Sequence, residues 1–406
     1  MVKIDYQSDK YVYLMLATNL GLPRNSSVKP FSMREFNILV REIAKLNLRP
    51  GVLLEKNRDD IKKIFGNNEQ VAAKIEELLS RREKIAFELA DLEEKGIRVV
   101  SRAERETYPK KLFTRLKQAA PPIIFYSGDL SILSNKSIAV VGSRKAEDNF
   151  LNIAREIGEK CAWSGITLIS GGANGVDYES MVAALNNKGF AVAFVAKPMI
   201  SFLKKTEISS WIREGRLILL STVLPNGSFT IAKAMERNKY VYALADFSIV
   251  VRSGCKGGTW SGATEALRKN FTNRVFVIDT DEEKLGNKQL IAKGGIPIKV
   301  HEITETNNIF EFLERKGLNI VDKQVVKPKD TTNDVYYLIL NKMIELLNQP
   351  MSEKEFASIL NVQIGQARNW LKRLVKEGYI VKKKGIYQSK KTKRLSNQVT
   401  LFERDI

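Results

Sequence analysis

Between residues 137 and 300 the chain alternates short apolar runs, rich in β-branched residues, with amphipathic segments of helical length. Such runs are typical of strands in a parallel sheet that helices cover on both faces. We therefore predict an α/β fold with a Rossmann-like parallel sheet, in which ligands bind beyond the carboxyl ends of the strands. The predicted strands are Ile138–Val141, Ile166–Ile169, Ala191–Val195, Leu217–Leu220, Ile249–Val251, Val275–Ile278 and Ile296–Val300.

Residues 1–95 predict a small helical domain in front of this sheet. Short apolar runs at Gly96–Val100 and Ile123–Tyr126, separated by prolines, then lead into the Rossmann-like domain, which we assign to residues 96–310. The predicted N-terminal helices, all with apolar residues at three- and four-residue spacing, are Tyr11–Leu20, Met33–Leu46, Asp59–Phe65 and Glu69–Glu94.

The last part of the chain predicts a linker and a third domain. We assign residues 311–334, which include a polar stretch without apolar periodicity, to the linker. Residues 335–390 are assigned to a winged-helix domain and residues 391–406 to a basic tail. The winged-helix elements are predicted as helices Val335–Leu347, Ser352–Leu360 and Ile364–Glu377, followed by wing strands Gly378–Lys382 and Gly385–Gln388.

The third helix of this domain has the charge of a recognition helix. A protein-docking module with a solvated basic face would look the same, although the basic tail nearby favours nucleic acid. The cations on or near one face of the helix are Arg368, Lys372, Arg373 and Lys376.

The overall charge indicates a polyanionic partner. The chain has 66 Lys and Arg against 46 Asp and Glu, for a formal net charge of +20. Nucleic acid is the leading partner class for such a chain, but a generally lysine-rich composition gives the same number. The positions of the cations distinguish a nucleic-acid partner from a generally lysine-rich composition.

Cysteine and histidine are too scarce for several kinds of site. Cys161 and Cys255 provide neither a disulfide framework nor a thiol-based zinc site. The single histidine, His301, excludes a His-based acid/base pair and a multi-His metal site. We expect no catalytic residue, no metal and no cofactor. The chain shows no signal-peptide or membrane-length apolar segment, so we expect a cytoplasmic protein with no membrane partner.

Two consecutive strand-to-helix loops predict an anion site. Val141-Gly142-Ser143-Arg144 combines a glycine, a hydroxyl and an arginine with the free N–H groups of a helix start. The next loop, Ser170-Gly171-Gly172-Ala173-Asn174-Gly175-Val176-Asp177, suggests a backbone nest for phosphate. Each loop alone is compatible with a plain turn, and Asp177 alone with a helix cap. Their recurrence in consecutive units favours phosphate binding.

Two further elements add cations. Arg237-Asn238-Lys239, late in a helix, can grip phosphates and touch a base edge, or can form an ordinary polar face. The loop Ser253-Gly254-Cys255-Lys256-Gly257-Gly258-Thr259-Trp260 fits an anion cradle, with Trp260 assigned to packing rather than to base stacking. The predicted phosphate-binding residues are Gly142, Ser143, Arg144, Ser170, Gly171, Gly172, Asn174, Gly175, Arg237, Asn238, Lys239, Lys256, Gly257, Gly258 and Thr259.

These motifs, in this order, resemble the DNA-processing protein A (DprA, also called Smf) family. The resemblance rests on the glycine loop Ser170–Asp177, on Arg237-Asn238 with the following Ala243–Asp246, and on the entry into the Rossmann-like domain. The entry segments are Gly96–Val100, Tyr108-Pro109, Pro121-Pro122, Tyr126–Asp129 and Ile138–Arg144. It implies a homodimer that binds single-stranded DNA and hands it to a RecA-type recombinase during natural transformation (DNA uptake) or recombination, without a catalytic step. It also implies that the predicted loops line the DNA groove.

The chain departs from the family pattern in ways that indicate a divergent subgroup. Gly172 stands where the family has Leu or Met, and Glu179-Ser180 follows Asp177 where a His is usual. Ala234 occupies the position of a common aromatic, three residues before the Arg-Asn pair. Gly257-Gly258-Thr259 replaces the more frequent Ser-Gly-Ser.

Two other functions would use the same loops. Gly257-Gly258-Thr259 with Gly262 and Glu265 resembles the glycine-rich loop of nucleotide phosphoribohydrolases, in which Glu265 would assist glycosidic cleavage. Arg144 or Arg237 would then hold the phosphate. A nucleotide-sensing module of an antiphage or stress system would instead bind a small signalling nucleotide in these loops.

Overall fold

The computed structural model describes residues 6–23, 25–280, 286–324, 339–376, 379–383 and 385–389. The chain divides into two compact units, Met1–Val321 and Asp322–Ile406. The larger unit is built around a nine-stranded sheet. In the described part of the chain, no helix combines the length and apolar character needed to cross a membrane.

The larger unit begins with helices and then alternates strands with helices. The helices before the sheet are α1 Tyr6–Ala17, α2 Met33–Lys45, α3 Arg58–Ile64, α4 Glu69–Leu79 and α5 Arg82–Glu94. The strands are β1 Arg98–Ser101, β2 Ile123–Ser127, β3 Ser137–Val141, β4 Thr167–Ser170, β5 Ala191–Phe194, β6 Leu217–Ser221, β7 Phe247–Val250, β8 Arg274–Ile278 and β9 Ile296–Ile298. The later helices are α6 Lys110–Leu116, α7 Asp148–Trp163, α8 Val176–Asn186, α9 Met199–Leu203, α10 Thr206–Arg213, α11 Ile231–Leu244, α12 Gly258–Lys269, α13 Gly286–Ala292, α14 Val300–Glu305 and α15 Ile309–Gln324.

The sheet has the strand order β1-β2-β6-β5-β4-β3-β7-β8-β9. Strands β3 to β9 are parallel, and each matches a predicted strand with ends displaced by at most two residues. The prediction of a parallel sheet needs correction at one edge, where β1 pairs antiparallel with β2 and β2 with β6. An apolar run predicts that a strand is buried but does not predict its direction. The observed sheet is therefore mostly, rather than entirely, parallel.

The strand order reverses at β3, which lies between β4 and β7. The chain winds outward from β3 through β4, β5 and β6 on one side, and through β7, β8 and β9 on the other. The loops that follow β3 and β7 therefore separate at the carboxyl edge of the sheet. Such a reversal of strand order leaves a crevice in which α/β proteins bind ligands.

Alternate residues of β3 enter two different cores, as expected for a strand buried on both faces. Ile138 and Val140 belong to a core that includes side chains of α7 and α8, whereas Ala139 and Val141 belong to one that includes α6, α11 and α12. Phe36 of α2 lies in the first of these cores. The predicted domain boundary at residue 95 is thus inside the larger unit, because the N-terminal helices share a core with the sheet.

Two predicted segments differ from the structure for identifiable reasons. The predicted helix Glu69–Glu94 is divided into α4 and α5, because the buried Arg81 between them donates to the carbonyl oxygens of Met15, Leu20 and Thr18. The linker predicted from residue 311 begins inside α15, whose Leu313 is fully buried in the first core. Residues 325–338 of the predicted linker and winged-helix domain, and the predicted tail 391–406, lie outside the described residues.

The described part of the smaller unit contains helices packed beside a three-stranded antiparallel sheet. Ser352 caps its second helix and forms a capping box with Glu355, which confirms the predicted helix start. Phe356, Trp370 and Tyr387 are buried in the core of this unit. Its elements are α16 Leu340–Leu346, β10 Met351–Ser352, α17 Glu353–Ile359, α18 Ile364–Lys376, β11 Ile380–Lys383 and β12 Ile386–Ser389.

Helices α7 and α8 approach so closely at Gly158 that we expect Gly158→Ala to destabilise the larger unit. A Cβ there would lie 2.3 Å from the carbonyl oxygen of Ser180. The helices would have to separate, lowering the free energy of unfolding by about 1–3 kcal/mol despite the better helix propensity of alanine. Urea denaturation followed by circular dichroism measures this change. Gly365→Ala in α18, where a Cβ meets nothing within 4 Å, is the control without loss. An unchanged midpoint for Gly158→Ala would contradict the packing argument.

Candidate functional site

A cleft of about 590 Å³ opens at the carboxyl edge of the sheet, where the strand order reverses. Its walls are the loop after β3, the loop after β7 and one face of α11. The cleft therefore brings together all four predicted elements, since Ala173 and Asp177 of the glycine loop also line it. The predicted residues that line it are Gly142, Ser143, Arg144, Arg237, Asn238, Lys256, Gly257, Gly258 and Thr259.

A second pocket, of about 250 Å³, shares Arg144, Lys145, Ala173 and Arg237 with the cleft. The predicted residues Gly171, Gly172 and Asn174 line this second pocket.

The remaining predicted residues line neither cavity. Ser170 is buried and its hydroxyl accepts a hydrogen bond from the amide of Gly172 at 3.1 Å. Gly175 precedes α8 as its N-cap residue. Lys239 forms an ion pair with Glu236 at 3.2 Å, and its side chain lines neither the cleft nor the second pocket.

A buried carboxylate joins the two predicted glycine loops. Asp177 Oδ1 accepts a hydrogen bond from the amide of Gly142 at 3.2 Å, and Oδ2 accepts one from the amide of Gly171 at 3.1 Å. Arg237 Nη1 lies 3.5 Å from Oδ2, and the side chains of Arg237 and Asp177 are only 6% and 9% exposed, respectively. Asp177 is thus more than a helix cap, because it connects the Arg237 guanidinium to the backbone of both loops.

Burial controls the ionisation of this pair. Desolvation raises the pKa of Asp177 and lowers the pKa of Arg237, because a buried site disfavours both charged forms. Each charge opposes the shift of the other, and the amides of Gly142 and Gly171 also stabilise the carboxylate. Arg237 Nε is buried and has no hydrogen-bond partner among the described residues. Removing either side chain would therefore leave the other charge buried without its partner.

Gly171 is required by the same contact. A Cβ at this position would lie 1.0 Å from Arg237 Nη1, within the space that the guanidinium occupies. Glycine here allows the backbone of one loop to lie directly against the arginine of α11. Its role is close packing, and this packing brings Arg237 to Asp177.

Further hydrogen bonds fix the walls of the cleft. Thr259 Oγ1 donates to the carbonyl oxygen of Gly142 at 2.9 Å, and Asn238 Nδ2 donates to that of Gly258 at 3.0 Å. The amide of Ser143 donates to the carbonyl oxygen of Arg252 at 2.9 Å. Hydrogen bonds therefore hold loops that lie far apart in the sequence in one geometry.

The charge lining the cleft is positive. Arg144, Lys145 and Lys256 are exposed cations at its surface. Arg252 also lines it and forms an ion pair with Glu147 at 2.8 Å. Among the described lining residues Asp177 is the one carboxylate, and Arg237 neutralises it. This arrangement can hold phosphate oxygens by charge-assisted hydrogen bonds.

Several lining residues were missed by the sequence motifs. Lys145 follows Arg144 in the same loop, and Lys197 follows the end of β5, so strand-end position alone would have found both. Ile231 and Met235 line the cleft while 74% and 47% exposed, a feature that depends on the orientation of α11. Ala234 also lines the cleft but is 5% exposed.

The positions of Glu265 and Trp260 bear on the roles considered for them in the sequence analysis. Glu265 forms an ion pair with Lys269 at 2.7 Å and does not line the cleft. Trp260 packs against the second core, as predicted. Within the described residues no group of three or more His, Cys, Asp or Glu side chains is arranged to hold a metal ion.

We expect Asp177→Asn to lower the free energy of unfolding by about 3–5 kcal/mol, because it leaves the Arg237 charge buried without a partner. The double variant Asp177→Asn/Arg237→Met removes both charges, so its loss should be smaller than the sum of the two single losses. Denaturant unfolding of wild type, both single variants and the double variant measures the coupling. Additive losses would show that the pair is not a unit.

Comparison with known proteins places the chain in a family. The family model of DNA recombination-mediator protein A matches residues 99–313. Protein Smf of Borreliella burgdorferi is 29% identical over 202 residues, which cover 48% of this chain and 63% of that protein. DNA processing protein DprA of Bacillus subtilis is 24% identical over 282 residues, covering 68% of this chain and 89% of that protein. The crystal structure of DprA from Streptococcus pneumoniae has the same fold, with a TM-score of 0.54 at 20% identity over 71% of this chain and 94% of that one. The alignment with the Borreliella protein spans less than two thirds of the length of that protein. The family model, however, covers more than half of this chain. The chain therefore belongs to the DprA/Smf family of DNA recombination-mediator proteins.

Proposed function

We propose that this protein binds single-stranded DNA and processes it for recombination, and that it does so without catalysing a reaction. The observation that carries the proposal is the cleft, in which Arg144, Lys145 and Lys256 are exposed and the one lining carboxylate of the described residues is neutralised. Part of the excess positive charge of the chain therefore lies where an α/β sheet binds its ligand. A merely lysine-rich composition does not predict this placement.

The apolar rim of the cleft favours a single strand over a duplex. Ile231 and Met235 are exposed beside the cations. A single strand offers the apolar faces of its unstacked bases to such side chains, whereas a duplex keeps its bases stacked inside. Phosphates would contact Arg144, Lys145 and Lys256, with the Arg144 guanidinium able to bind two phosphate oxygens at once.

The names of family members support a role in recombination. These names include DNA processing protein DprA and DNA recombination-mediator protein A. We infer that this chain acts in natural transformation or a related recombination pathway in the cytoplasm, as a homodimer that delivers single-stranded DNA to a RecA-type recombinase. The rigid cleft supports a carrier that holds the strand and releases it unchanged.

The position of Glu265 argues against a phosphoribohydrolase. Its carboxylate is paired with Lys269 and does not line the cleft. The lining carboxylate Asp177 is held by Arg237 and two amides, which leaves it poorly placed for general acid/base work. A nucleotide-sensing role is separated from DNA binding by competition. A mononucleotide that displaces a long oligonucleotide at stoichiometric concentration would favour sensing.

We further propose that the smaller unit is a winged-helix domain that contacts DNA through α18. Ala367, Trp370 and Leu371 bury one side of this helix, and Arg368 and Lys372 are exposed on the other. The three-stranded sheet β10-β12-β11 would supply the wing.

We expect Arg144→Ala to weaken binding to single-stranded DNA and to reduce the salt slope of log K by about 0.7, since one phosphate contact is lost. Fluorescence anisotropy with a labelled oligodeoxythymidine between low and moderate salt measures both quantities. Wild type should prefer this oligonucleotide to a duplex of equal length. Lys56→Ala, at an exposed position that lines neither cavity, is the matched control. Normal binding by Arg144→Ala would refute the cleft as the DNA site.

For the smaller unit, Lys372→Gln should lower the salt slope by a similar amount, about 0.7, without changing stability. The same titration gives the slope, and thermal unfolding gives the stability. If the slope stays at the wild-type value, α18 does not contact DNA and protein docking is the better interpretation.

A further inference from the structure

The second pocket contains binding groups that the family motifs do not include. Lys197, exposed, follows the end of β5, and Phe229, 38% exposed, precedes α11. Both line the pocket together with Arg144 and Lys145, and no carboxylate is among its described lining residues. Besides the buried, paired Arg237, the pocket thus offers three exposed cations and one accessible aromatic ring to a ligand.

Phe229 occupies a position suited to a nucleobase. The Arg144 guanidinium lies over one face of the Phe229 ring, 5.9 Å from its centroid, so the ring adjoins the cation that borders both cavities. Ala234 of α11 offers no ring, and its small side chain is buried. Phe229, just before α11, is therefore the exposed aromatic ring nearest in sequence to Arg237 and Asn238.

Arg237 links the two cavities. Its side chain lines both of them, and its Nε is buried without a hydrogen-bond partner among the described residues. A buried donor left without a partner is costly, which indicates that a ligand or ordered water satisfies it. A polyanion that runs past Arg144 from one cavity into the other would pass the Arg237 side chain.

We propose that the second pocket holds the nucleotide adjacent to the one in the cleft, with its base packed on Phe229 and its phosphate bound by Lys197. This inference rests on the proposed function, because the same DNA strand would occupy both cavities. Phe229 supplies the stacking surface that Ala234 does not, and Lys197 adds a phosphate contact that the recognised motifs do not contain. The site thereby extends from the crevice between β3 and β7 to the end of β5.

The stacking contact is tested with two ligands, a labelled oligodeoxythymidine and an oligonucleotide of the same length made of abasic nucleotides. Phe229→Ala should weaken binding to the first by roughly 5- to 150-fold, the range for loss of one base–aromatic stack. The loss with the abasic ligand should be much smaller. Phe229→Tyr, which retains a ring, should bind both ligands as wild type does. An equal loss with both ligands would overturn the stacking contact.

The phosphate contact is tested through salt dependence. Lys197→Gln should reduce the salt slope for oligodeoxythymidine by about 0.7. Lys204→Gln, at an exposed position nearby that lines neither cavity, should leave the slope unchanged. If Arg144→Ala weakens binding but the Lys197 and Phe229 variants match wild type, the second subsite is wrong and the proposed function stands. If wild type itself does not bind single-stranded DNA, both fail.

Discussion

The buried ion pair between Asp177 and Arg237 is the interaction on which the site depends. It is formed by residues 60 positions apart, and the same carboxylate also accepts from the amides of Gly142 and Gly171. Two strand-end loops and one helix are therefore fixed to a single buried group. Isolated charges are too costly to bury, so the geometry persists only while both partners and both amides are in place.

The position of this pair follows from the sheet. Because the strand order reverses at β3, the loops after β3 and β7 leave in different directions and open a crevice. Cores on both faces of the sheet hold the strands beneath it. With the floor neutralised by pairing, the exposed cations Arg144, Lys145 and Lys256 determine the electrostatic character of the cleft. A rigid, basic, apolar-rimmed crevice suits a ligand with both phosphates and accessible bases.

Sequence patterns predicted the parallel strands and nine of the residues that line the cleft, because both depend on local features. β-Branched runs mark buried strands, and glycines with cations after a strand end mark an anion site. The same patterns were less informative about partners in space. The antiparallel edge of β1 and β2, the break at Arg81 and the shared core of Phe36 all depend on contacts between distant segments.

The sequence by itself determined the fold class, the family resemblance, and the loops in which binding groups lie, because periodicity and strand-end position are properties of the chain. Only the tertiary structure decided what each group does there. Arg237, predicted to grip phosphate, is buried against Asp177, and Lys239 is paired with Glu236 away from the cleft. Lys197 and Phe229, from segments outside the motifs, line the adjoining pocket instead. The reason is physical, since burial and pairing of a charge depend on its neighbours in space.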